Sequence, residues 1–290
     1  MQRSRSLCLA LALLPGLVLA TLVRASPSGD PDIGASGPEA GVGPPARGRT
    51  RSRAIGATNR GWLASPAQLA SGPHLRVRSP RRAYGTLELV DLLRWAAGQV
   101  GEAHGGPGLL VGDLAGPRGD RLRPHRSHRT GLDADLGFYL TDAAGSPHAT
   151  PRFVHLDRQG EGSDREGVEV GFDAERNWAL VAALLGQDVT PVQYLMVVTP
   201  LKRRLLAEAE RVGAPEWLKA RARVVVGPQR TGRGRRARRG THDSHFHVRI
   251  YCPRDDLPRC RDKAPYHPWI GPRTPTRRPP RRRRPRSTMR

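Results

Sequence analysis

Residues 244–252 alternate without a break. Phe246, Val248 and Ile250 fall on one face, and His245, His247, Arg249 and Tyr251 on the other. A period of two with one apolar face predicts a strand lying on a core. Leu132, Ala134 and Leu136 alternate in the same way with Asp133 and Asp135, which predicts a second, half-buried strand. Elsewhere the period is helical. Thr86 is a candidate N-cap for a stripe of Leu89, Leu92, Leu93, Ala96 and Ala97, an amphipathic helix. Another helix opens around Asp173, carries Trp178, Leu180, Val181 and Leu184, and ends at Gly186. Thr199 and Pro200 start a third, with Thr at the N-cap and Pro in the first turn, and Gly213 closes it. A fourth runs from Pro215 to about Arg223, while residues 109–114 and 192–198 read as strands. The set predicts an α+β fold: a central antiparallel sheet flanked by helices.

Composition changes the picture at both ends. The chain has 290 residues, is 37% hydrophobic and carries a formal charge of +23. Arg3 and Arg5 precede an apolar run from Leu7 to Val23 that Pro15 interrupts, and small residues follow near Ala25. This reads as a cleaved secretory signal peptide over residues 1–25 rather than an anchor, and implies export to the periplasm. Residues 26–57 are Gly, Pro, Ala, Ser and Arg with almost no large apolar side chain. Such a stretch cannot offset its ordering entropy and reads as a disordered linker. One domain is expected over residues 58–271. Residues 272–290, with Arg281 to Arg284 consecutive, read as a disordered basic tail. No later stretch is long and apolar enough to span a membrane. Cys8 leaves with the signal peptide, so Cys252 and Cys260 remain. An even pair in an exported protein predicts a disulfide; the alternatives are two free thiols or two metal ligands.

The candidate chemistry lies in the two alternating strands. His245 and His247 project from one face, which a strand on a core does not require and a metal site does. His125, His128, Asp133 and Asp135 form a second cluster. Of the chain's 10 histidines, five lie in these two stretches once His242 is included. Asp133 shares a strand face with Asp135, so either carboxylate is a candidate ligand, and the other a partner to a ligand histidine. Asp113, at a strand end, is a weaker site candidate, and a turn carboxylate is the simpler reading. Residues 227–240 form a loop made mostly of Arg and Gly.

The segments S-H-R-T-G-L-D-A-D (127–135) and S-H-F-H-V-R-I-Y-C-P (244–253) resemble those of the penicillin-insensitive murein endopeptidases, within the zinc peptidases that include lysostaphin-type enzymes, D-Ala-D-Ala dipeptidases and the hedgehog domain. Further similarity lies at residues 84–89, 110–114 and 176–180. The resemblance implies Zn2+ held by His128, Asp135 and His247, with His245 as the catalytic histidine beside it. It implies His125 and His242 as further active-site histidines; Ser127, Asp133 and Arg249 are candidates for groups behind the ligands or facing substrate. The implied substrate is peptidoglycan, cut at D-alanyl to meso-diaminopimelyl crosslinks. Pro124 stands where the family usually has Gly, fewer cysteines are present, and the Arg-rich loop is an unusual insertion.

Two other readings share this chemistry or its remnants: a D,D-carboxypeptidase or dipeptidase, and a zinc-containing cell-wall binding module without catalysis. Retention of His245 argues against the second. The basic composition raises a nucleic-acid binder. However, the basic residues lie mainly in the segments read as disordered, and aromatics for base stacking are only 5%. No specific nucleic-acid partner is therefore expected, and nothing in the sequence fixes an oligomeric state.

Overall fold

The structure is a computed structural model, and it describes residues 51–119, 122–228 and 242–273. The signal-peptide reading and most of the linker, the Arg-rich loop and the tail lie outside the described residues. The described residues all belong to one compact unit, Gly48–Arg290.

A five-stranded sheet organises this unit. Its strands, in chain order, are β1 (Leu75–Val77), β2 (Leu109–Val111), β3 (Asp133–Gly137), β4 (Val192–Met196) and β5 (His245–Ile250). Across the sheet they run β4, β5, β3, β2, β1. The pairs β4/β5, β5/β3 and β3/β2 are antiparallel, and the edge pair β2/β1 is parallel. The two alternating stretches of the sequence are thus the two central strands. Their register sets His247 opposite Asp135 and Arg249 opposite Asp133.

Four α-helices among the described residues accompany the sheet: α1 (Leu87–His104), α2 (Ala174–Gly186), α3 (Thr199–Arg211) and α4 (Glu216–Val225). The Thr86 hydroxyl accepts from the Leu89 amide and Asp173 caps α2 through the Arg176 amide, so local capping starts both where the sequence indicates. At α3 the cap is Val198 and Thr199 is already the first helical residue. The apolar stripe of α1 and the buried face of α2, with Leu180, Val181 and Leu184, join Phe246, Val248 and Ile250 in one core.

The sequence and the fold also differ elsewhere. The strand β3 is buried along its whole length rather than on one face. Its polar face is covered because the histidines and Arg249 close over it. The strand Arg53–Ala57 lies in the stretch read above as linker; it pairs with Trp62–Ala64 and with Cys260–Arg261. At the other end Arg273, assigned above to the tail, packs into the fold: its Nε donates to Asp262 at 2.8 Å and its guanidinium lies 4.9 Å from the Tyr251 ring centroid. Cys252 and Cys260 are disulfide-bonded, with Cα atoms 5.8 Å apart.

Candidate metal centre

Adjacent central strands bring two residues face to face, and a loop brings the third. Asp135 on β3 and His247 on β5 are register partners. His128 arrives from the loop before β3 with its backbone in the left-handed region, φ 57°. A non-glycine residue held there is strained and needs surrounding contacts to keep it. Two are present: its amide donates to Asp133 Oδ2 at 3.3 Å, and its Nδ1 donates to the Leu114 carbonyl at 2.7 Å.

The three polar atoms left facing one another form a small triangle. His128 Nε2 is 3.2 Å from His247 Nδ1 and 3.3 Å from Asp135 Oδ1, and His247 Nδ1 is 2.9 Å from Asp135 Oδ1. All three residues are buried. His125, His128 and Asp135 form an overlapping group, with ligand atoms within 4.8 Å of one another, that could hold a metal ion. His125 Nε2 is 2.8 Å from Asp113 Oδ2 and 3.7 Å from Asp135 Oδ2.

Behind the triangle stands Asp133. It accepts two bonds from Arg249 Nη1, at 3.0 and 3.1 Å, and lies 3.1 Å from His247 Nε2. Both nitrogens of His247 therefore face carboxylates. Burial alone would lower the pKa of this imidazole, but the bonds and charges of Asp133 and Asp135 outweigh it and raise it to about 9. The carboxyls of Asp133 and Asp135 move the other way. Burial works against their charge, yet Arg249 and His247 hold Asp133 low, and His128 and His247 hold Asp135 low.

His245 sits beside the triangle without joining it. Its Nε2 is 3.7 Å from Asp135 Oδ1, and its Nδ1 is 3.0 Å from Ser244 Oγ. Burial lowers its pKa to about 4, so the ring is neutral at pH 7. His242 packs edge-on to His245 at 5.4 Å and is lowered to about 3, again mainly by burial. Its carbonyl accepts from the Val198 amide at 3.1 Å. His125 stacks obliquely on His128 at 4.2 Å. The fold thus gathers all five histidines of the two clusters with Asp133, Asp135 and Arg249. Ser127 is half-buried in the loop before His128, and the disulfide ties the chain beyond β5.

Asp113 is more than a turn carboxylate. It is buried, bonds His125, and pairs with Arg78 at 3.2 Å and Arg82 at 3.0 Å. These contacts outweigh its burial and lower its pKa. Arg78, Arg82, Asp113, Phe153, His125 and His245 line a cleft of about 660 Å³ that reaches Asp135 of the triangle. Sequence reasoning missed Arg78, Arg82 and Phe153. They lie in segments without period or motif, and only the tertiary approach of those segments gives them a role.

Residues 54–228 match the protein family described as penicillin-insensitive murein endopeptidase. Proteins of that name in Haemophilus influenzae and Klebsiella pneumoniae (strain 342) are 32% and 27% identical, over 63% and 76% of this chain. A relative of the same name in Salmonella paratyphi C is 29% identical over 66% of the chain. The chain spans 57%, 73% and 62% of the lengths of these three relatives. The family match ends at residue 228, at the start of the Arg-rich loop, so His245 and His247 lie beyond it. It is the register of β5 on β3 that brings them to His128 and Asp135.

Proposed function

This chain belongs to the penicillin-insensitive murein endopeptidase family, and we propose that it is a zinc-dependent endopeptidase of the periplasm that hydrolyses D-alanyl to meso-diaminopimelyl crosslinks of peptidoglycan. The observation that carries the reading is the triangle of His128 Nε2, Asp135 Oδ1 and His247 Nδ1, with sides of 2.9 to 3.3 Å. Ligands about 2.0–2.1 Å from a tetrahedral zinc stand about 3.3 Å apart, so the three atoms suit that ion with little movement. The remaining nitrogen of each histidine is already engaged, by the Leu114 carbonyl and by Asp133, which orients both rings as metal ligands are oriented. His125 is the less suitable third nitrogen because Asp113 holds its Nε2 at 2.8 Å. Three protein ligands leave a fourth position open, the pattern of a catalytic rather than a structural site. When bound, the metal would acidify a water molecule and polarise the scissile carbonyl.

The chain's own groups supply the rest. His245 is neutral at pH 7 and lies beside the ligands. Ser244 Oγ engages its Nδ1, so Nε2 is the atom left to take a proton from the attacking water. A positioned base of this kind is worth about 10² to 10⁴ in rate. His125, fixed by Asp113, and His242 border the same site, where they can donate hydrogen bonds to the peptide or its oxyanion. Arg78 and Arg82, which share the single carboxylate of Asp113, leave cationic groups in the cleft that can meet a substrate carboxylate.

The test is to incubate purified protein with crosslinked muropeptides, with and without a chelator. The expected outcome is conversion of dimers to monomers that the chelator stops and zinc restores. Cleavage that survives chelation contradicts the zinc reading. Release of free D-alanine with crosslinks left intact would instead support a carboxypeptidase.

A further inference from the structure

Phe153 lies in the irregular stretch after the strand Pro147–His148, between Arg152 and Val154, in neither histidine cluster. Its ring stacks on His245, with centroids 4.9 Å apart and planes 18° from parallel. The Arg78 guanidinium lies 4.8 Å from the centroid of the Phe153 ring, and Arg78 is itself held by Asp113 at 3.2 Å. One arginine thus reaches both the carboxylate behind His125 and the aromatic ring against His245.

The ring has room because two neighbours lack a side chain. A Cβ on Gly112 would stand 2.5 Å from Phe153 Cζ and 2.9 Å from Cε2. A Cβ on Gly137 would stand 3.1 Å from both Cδ1 and Cε1. Neither glycine has a positive φ, so the absent Cβ, not backbone freedom, is what these positions supply. Gly112 follows β2 and precedes Asp113. Gly137 ends β3 and is the register partner of His245. The slot therefore belongs to the same strands that carry the site.

His245 needs such a support. Its Nδ1 has Ser244 Oγ at 3.0 Å, but its Nε2 is 3.7 Å from Asp135, outside hydrogen-bond range. The terminal torsion of a histidine is broad and weakly restrained by itself. A flat ring packed on one face restricts it.

We propose that Phe153, seated in the slot formed by Gly112 and Gly137 and clamped by Arg78, is the positioning residue that fixes the imidazole plane of His245. The proposal rests on the reading above that His245 takes the proton. It assigns Phe153 no contact with the metal ligands, so its loss should separate turnover from metal binding.

The test uses full-length, zinc-loaded protein and crosslinked muropeptides. Phe153→Leu keeps an apolar side chain but removes the stack. It should keep its zinc content and melting temperature, hold KM within about twofold, and lower kcat by about ten- to a hundredfold, the scale of a misplaced catalytic group. Phe153→Tyr should recover most of the lost kcat. Gly112→Ala should lower kcat alone and have little further effect in the Phe153→Leu background, because both changes act on one contact. A readout independent of turnover is the NMR signal of the His245 ring protons, assigned by its loss in His245→Ala. It should move downfield in Phe153→Leu as the ring current is removed. Wild-type protein that cleaves while Phe153→Leu retains full kcat overturns the proposal alone. So does a change confined to KM, which would make Phe153 a substrate contact. A fall in kcat matched by loss of zinc or of melting temperature, without rescue by Tyr, leaves Phe153 structural and also overturns it. Wild-type protein that cleaves nothing when zinc-loaded instead overturns the proposed function.

Discussion

Asp133 accepts hydrogen bonds from Arg249 and from the amide of His128, and it holds His247 Nε2 at 3.1 Å. It binds no metal in the proposed site, yet it fixes two of the three ligands. Asp133→Asn is expected to weaken zinc affinity about 10- to 100-fold, as loss of a partner behind a ligand does. It should also destabilise the protein by about 3 kcal/mol, because Arg249 is left buried without its counter-charge. Equilibrium dialysis and denaturant melts check the two parts. His247 gives a pH signature. Its pKa rises from 6.5 to about 9 in the metal-free fold, so the protonated ring contributes stability below pH 6.5 that is lost as pH rises through 9. Metal-free protein should therefore melt at lower temperature at pH 9 than at pH 6.5. Apparent zinc affinity should rise about tenfold per pH unit from 7 to 9, as zinc displaces one proton; an affinity flat over that range would contradict the assignment. The resemblance picked out His128, Asp135 and His247 as ligands; the pattern of the sequence exposed the clusters around them, because strand alternation aims side chains. It left Asp133 open between ligand and partner, since two carboxylates on one strand face differ only in what packs behind them. Phe153 was illegible, and Asp113 stood out only as a weaker candidate, for the same reason: each acts through a residue from a distant segment.

At the level of elements, β5 was the most legible part of the chain and the terminal strand Arg53–Ala57 the least. The first carries its own apolar face. The second gains its place from partners at Trp62–Ala64 and Cys260–Arg261, more than 200 residues away in the latter case. Nothing in a Gly- and Arg-rich composition announces such a pairing. Helices α1 and α2 begin where their caps indicate, because capping is local; the end of α4 ran past Arg223 to Val225, where β-branched residues favour a strand in isolation and packing favours the helix. The disulfide from Cys252 to Cys260 joins the chain beyond β5 to this terminal sheet. Replacing both cysteines by Ser should cost about 2.5 kcal/mol, the chain-entropy value for so short a loop. It should leave zinc content unchanged, since the bond lies outside the site. Chemical denaturation with metal analysis of the double variant tests this. Loss of zinc would mean that the disulfide, rather than strand register, holds β5 in place.

For the whole molecule, charge is the dominant feature: +23 over 290 residues, with eight arginines beyond residue 273. Murein stems carry free carboxylates, and exposed charge attracts such a polymer without reading its detail. Removing residues 274–290 should weaken binding to intact sacculi and leave cleavage of small soluble muropeptides nearly unchanged. The difference should shrink as salt rises, because screening acts over about 8 Å at physiological strength. Cosedimentation with sacculi across a salt series measures it. Cutting before Arg273 is a different operation, since that side chain packs on Tyr251 and Asp262. No helix among the described residues is long and apolar enough to cross a membrane.

The central claim is that His128, Asp135 and His247 together hold one zinc ion, and metal content tests it most directly. Wild-type protein, His245→Ala and His247→Ala would be purified in parallel, dialysed against trace zinc and assayed by plasma mass spectrometry. The account predicts about one zinc per chain in wild type and in His245→Ala, and little or none in folded His247→Ala. Full occupancy in folded His247→Ala would contradict it and shift the site to His125, His128 and Asp135.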